Sequence, residues 1–221
     1  MISQTTLSIL NSTLQSLGRY LAITIFTLMV LILLWRLIKE RKETEKINYI
    51  RLITLLIFAS IYFSNIWEFL GFETTIVPLE FIGFDAEDFS LYYFGLGLAV
   101  SLGILLTAYI NQLKRFYFTS LFIFFGLFIL FLYTGTSLIF LPYLYICGIL
   151  ALISQFYTGY KYRDNGAMGI AIFFAIAFIT ILLPEEGIIG LIDALMNLAY
   201  LTFGLIFALG YFRPYGQTEG E

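Results

Sequence analysis

In the stretch "LLPEEGIIGLIDALMNLAY" (Leu182–Tyr200), three carboxylates stand where one long apolar run ends and the next begins. Glu185 and Glu186 follow Pro184 in a tight turn, and Asp193 lies inside the apolar run that comes after it. Carboxylates in such a place can exchange a proton, hold a cation or pair with a base. Asp193 and Asn197 are four residues apart and so share one helical face. Asn65 and Glu68 do the same on another apolar run, and Arg19 is the one base at a comparable depth. These five residues are expected to converge on a polar, ligand-binding pocket capped by the loop Gly71–Phe89. A structural ion pair between Arg19 and one of the carboxylates is the alternative.

The residues that are missing narrow the chemistry further. The chain has no histidine and a single cysteine, Cys147. Haem ligation by histidine, histidine-bearing zinc sites, Ser/His/Asp catalysis and histidine pH switching are therefore excluded, and no internal disulfide can form. No metal site and no cofactor are expected. The chain is expected not to be an enzyme, because no pair of acids lies deep in an apolar run. A carboxylate-dependent membrane enzyme ranks third, behind two non-catalytic readings given below.

The elements that must position these residues are membrane helices. Sixty per cent of the 221 residues are apolar, 19% are aromatic and 12% are charged, a balance that one soluble core could not hide. Seven apolar runs, at about 20–38, 50–70, 90–110, 116–134, 138–158, 166–183 and 188–211, each approach the roughly 20 residues a helix needs to cross a bilayer. None alternates as a membrane barrel strand would. The expected fold is all-α, an integral membrane bundle of seven transmembrane helices over residues 19–213. Residues 1–18 precede it as an amphipathic interfacial segment, and 214–221 follow as a polar tail.

Arg36, Lys39, Arg41, Lys42, Lys46 and Arg51 fall between the first two runs. Lys114, Arg115, Lys161, Arg163 and Arg213 fall on the same side, and only Arg19 on the other. The positive-inside rule then places the N-terminus outside and the C-terminus in the cytoplasm, in a plasma membrane. The basic loop Arg36–Arg51 is expected to face anionic lipid headgroups or a partner. With a net charge of −3 and its bases dispersed, the chain is not expected to bind nucleic acid. Membrane lipids, other membrane proteins or further copies of the chain are the expected partners. Gly95, Ala99 and Gly103 make a small-residue stripe for close helix packing, within the bundle or between two copies. Trp35 and Trp67 are expected as interfacial anchors, and Asn111, Gln112 and Gln155 are expected at inner helix ends that water reaches.

Seven helices, an outer N-terminus and a long outer loop after the second helix resemble the layout of the microbial rhodopsins. Those proteins attach retinal to a lysine of the last helix, and Ile188–Tyr211 contains none, so no retinal Schiff base is expected. The topology is also similar to that of seven-helix sensory modules. The expected function is a non-catalytic receptor-like or sensory module, or an accessory subunit of a membrane complex. A transporter of a small, cationic solute is the alternative.

Overall fold

Without water to satisfy its backbone, an apolar run in hydrocarbon must bond internally, and a helix does so within one segment. The computed structural model describes residues 4–73, 91–182 and 187–216. Among these residues there are seven α-helices and no strand: α1 (Gln4–Thr44), α2 (Tyr49–Glu73), α3 (Tyr92–Ile110), α4 (Thr119–Thr134), α5 (Phe140–Tyr162), α6 (Asn165–Leu182) and α7 (Gly187–Leu209). Six are long and apolar enough to cross a membrane; in α6 the apolar stretch Asn165–Thr180 is shorter. Large apolar side chains cover the exterior, as with Phe122, which is 76% exposed. Such a surface suits lipid and not water, and the chain has the make-up of a multi-pass helical membrane bundle.

The bundle is a ring with one helix outside it. α1 packs against α2 and α7, α3 against α2 and α5, and α6 against α5 and α7, which closes the circuit α1–α2–α3–α5–α6–α7. α4 rests on α3 from outside. Phe26, Met29, Ile57, Phe58, Leu106, Ile170 and Phe173 fill the interior and are fully buried. Phe173 of α6 lies 4.3 Å from Tyr200 of α7 and 4.9 Å from Phe58 of α2, measured between ring centroids. A T-shaped contact with Phe26 of α1 completes the layer at 6.3 Å. Each such aromatic pair adds about 0.5–1.5 kcal/mol beyond the area it buries.

Two segments differ from the reading of the sequence. α1 runs unbroken through 41 residues, so the N-terminal stretch and the first apolar run form one helix. At 1.5 Å per residue it is about 60 Å long, roughly twice the thickness of the hydrocarbon core. The connection Arg36–Arg51 is mostly helix and not loop: Arg36, Lys39, Arg41 and Lys42 lie in α1, and only residues 45–48 link α1 to α2. The cause is local, because Arg, Lys, Glu and Leu are good helix formers and Lys39 pairs with Glu43 one turn on, at 3.9 Å. α2 likewise continues to Glu73, past Gly71. The rest of the expected lid, residues 74–89, lies outside the described residues, as do Glu185 and Glu186.

Helix ends are closed by devices that hydropathy does not reveal. Gly135 and Gly210 take left-handed φ of 74° and 83° after α4 and α7, and Glu45, Gln112 and Arg163 do the same after α1, α3 and α5. After α7 the Gly210 amide donates to Phe207 O at 2.9 Å and the Tyr211 amide to Ile206 O at 3.2 Å, which satisfies carbonyls the helix leaves open. At the start of α6, Asp164 Oδ1 accepts from the amides of Gly166 and Ala167 at 2.7 and 3.0 Å.

Candidate functional site

Because α1 lies between α2 and α7, residues on those three helices share one end of the ring. Asp193, in the second turn of α7, is 8% exposed and accepts a 3.1 Å hydrogen bond from Asn197 Nδ2. Their four-residue spacing makes that bond possible within one helix. Asn65 does not reach across: its Nδ2 donates to Ile61 O of its own helix at 2.8 Å. Glu68 lies near the C-terminal end of α2, and Tyr92 opens α3. The Tyr92 carbonyl accepts from Ser64 Oγ at 3.0 Å. Arg19, Glu68 and Asp193 all have interaction partners. The end therefore holds Asp193, Asn197 and Glu68 together with Tyr92, which the sequence reading passed over among many aromatics. A cavity of about 280 Å³ opens elsewhere, on the flank between α2 and α3, lined by Leu56, Phe63, Phe94 and Leu98 with Ser60 and Gly95.

A second polar set runs between α3 and α5 toward the opposite end. Asn111 Nδ2 donates to Thr158 Oγ1 at 2.8 Å and to Thr107 O at 2.9 Å. Ser154 Oγ donates to Ala151 O at 2.9 Å and lies 3.5 Å from Thr107 Oγ1. Gln155 is only 1% exposed, which corrects the expectation that water reaches it. Its Oε1 and Nε2 are both buried without a hydrogen-bond partner. The reason is its register, which turns it from the helix end into α3, where a Cβ on Gly103 would meet Nε2 at 2.8 Å.

The stripe Gly95, Ala99, Gly103 is buried within the described bundle, and its two glycines serve different neighbours. Gly95 admits Ser60 and Ser64 of α2, whereas Gly103 admits Gln155 of α5. Eight residues at 100° each rotate the face by about 80°, from one ring neighbour to the other. Between them, Ser101 Oγ and Tyr143 Oη are 2.6 Å apart. Ser120 Oγ donates to Ser101 O at 3.0 Å and Tyr143 Oη to Ser120 O at 3.1 Å, which ties α4 to α3 and α5. Single serines inside apolar runs were the available signal for this knot.

At the end where α1 meets α2, the basic residues divide into bound and free-standing groups. Arg36 Nη1 donates to Ala208 O, in the last turn of α7, at 2.8 Å, and its guanidinium lies over Gly210. Arg51 pairs with Glu40 at 3.1 Å, and Asn48 Nδ2 donates to the same carboxylate at 3.1 Å. Asn48 also caps α2, its Oδ1 accepting from the Ile50 amide at 3.1 Å. Lys39 lies 5.6 Å over the ring of Trp35, which is 62% exposed. Trp67 differs, being half-buried against the Phe124 and Phe131 cluster. Arg41, Lys42 and Lys46 are exposed.

Chemically, the described residues offer a buried aspartate hydrogen-bonded to an amide, a buried carboxamide and a basic rim. No group of three or more His, Cys, Asp or Glu side chains placed to hold a metal occurs among them. Compared with family models, with curated proteins and with solved structures, the chain matches none.

Proposed function

We propose that the chain is a seven-span plasma-membrane protein, outer at its N-terminus and cytoplasmic at its C-terminus. It acts without catalysis as a receptor-like or sensory module, or as an accessory subunit of a membrane complex. The observation that supports this reading over transport is the aromatic layer of Phe26, Phe58, Phe173 and Tyr200 inside the ring. On one side of it Asn197 bonds Asp193 and Asn65 bonds its own helix. On the other side Asn111 bonds Thr107 and Thr158. A permeating cation needs a chain of polar groups across the midplane, and a dry aromatic layer raises a desolvation barrier there. A sensor needs no such chain.

One observation favours the alternative, a transporter of a small, cationic solute: the carboxamide of Gln155, buried and unpartnered between α3 and α5. Reconstitution into sealed vesicles separates the two readings. Receptor-like or accessory function predicts no cation flux above that of empty vesicles. Saturable flux would overturn it in favour of transport. Purification from the native membrane with mild detergent then divides the first reading, since a stoichiometric protein partner marks a subunit and a retained small molecule marks a receptor.

A further inference from the structure

We propose that Arg36, Arg51 and Arg213 form a site for the phosphate of an anionic phospholipid at the basic end of the ring. Three separate parts of the chain supply the guanidinium groups: the last turns of α1, the first turn of α2 and the segment after α7. They come together because α1 packs against both α2 and α7. Glu40 is one turn on from Arg36 in α1 and pairs with Arg51 at 3.1 Å, and Arg213 follows three residues after Gly210, over which the Arg36 guanidinium lies. Glu40 is the one carboxylate in that group, and it is already held by Arg51 and Asn48. With Glu40 already paired to Arg51, Arg36 and Arg213 bring positive charge that an anion would neutralise.

The geometry suits a phosphate. Arg36 is fixed by its bond to Ala208 O, and a guanidinium has five N–H donors, so further donors remain on a plane already oriented. Paired N–H groups match two phosphate oxygens, which makes arginine the better residue for this recognition. Arg51 and Arg213 are exposed and can close on the anion from its open side.

The position suits a lipid. Trp35, Tyr49 and Tyr211 are all exposed around the arginines, and such side chains settle at headgroup level. On α1 the apolar surface continues away from this end through the exposed Ile38, Leu34 and Leu31, along which acyl chains can lie. The site rests on the membrane-spanning reading given above.

The test uses the full chain in nanodiscs of phosphatidylcholine with a minor fraction of phosphatidylglycerol. Native mass spectrometry counts the phosphatidylglycerol retained after release from the disc. Arg213→Gln is expected to weaken retention roughly fivefold, the effect of about 1 kcal/mol per basic side chain near an anionic surface. Glu40→Gln is expected to strengthen it, the opposite of what a damaged fold would do, and Lys114→Gln is expected to leave it unchanged. Equal losses in Arg213→Gln and Lys114→Gln would overturn the site and leave only a diffuse basic surface. Displacement of the lipid by inorganic phosphate at constant ionic strength would also overturn it, since the site would then serve soluble phosphate. A chain that does not enter nanodiscs at all refutes the membrane reading instead, and the two failures are distinct.

Discussion

Gln155 carries the least expected chemistry of any single residue. A buried carboxamide without a partner costs about 1–3 kcal/mol in desolvation, and an apolar side chain of similar volume avoids that cost. Gln155→Leu is therefore expected to leave the thermal midpoint in detergent unchanged or raise it by a few degrees. A fall of many degrees would mean that the carboxamide holds a water or ligand. At this scale the sequence was only partly legible. Asp193 and Asn197 stood out because polar residues inside apolar runs are few, and their spacing announced their bond. Asn65 stood out equally, yet it bonds backwards to Ile61 O, a choice that no spacing rule decides. Tyr92 and Tyr143 were hidden by the number of other aromatics, and Gln155 by its closeness to a helix end.

Helices were legible nearly to their limits, because the length of each apolar run is set by the bilayer. The exceptions were α1 and the basic connection, where polar helix formers continue a helix beyond what hydropathy can see. Which helices touch was not legible, since a polar pair or a small-residue stripe marks an inward face without naming the helix it meets. Glycines decide it instead, and this gives a prediction about the α5–α6 crossing. A Cβ at Gly159 would meet the backbone of Met168 at 2.8 Å, and backbone cannot rotate away. At Gly126 in α4 a Cβ meets nothing within 4 Å. Gly159→Ala is expected to destabilise by about 1–3 kcal/mol through overpacking. Gly126→Ala is expected to be neutral or to stabilise by up to about 1 kcal/mol, the helix-propensity gain. Thermal unfolding of both variants in one detergent checks the contrast, and equal behaviour would contradict the crossing.

Taken whole, the described residues form a ring of six helices with α4 outside it, polar groups toward the two ends and an aromatic layer between them. That layer is what the proposed receptor-like reading rests on, and residues from four helices meet in it, so no local stretch of sequence could display it. The single native cysteine makes a direct test practical, since Cys147→Ser gives a cysteine-free background. In that background Asn197→Cys and Asn111→Cys place one thiol on each side of Phe173, and a small charged thiol reagent is applied from either side of sealed membranes. The account predicts that Asn197→Cys reacts only from the side of the N-terminus and Asn111→Cys only from the opposite side. Reaction of either one from both sides, in a protein that remains folded, would reveal a continuous aqueous path and contradict the account.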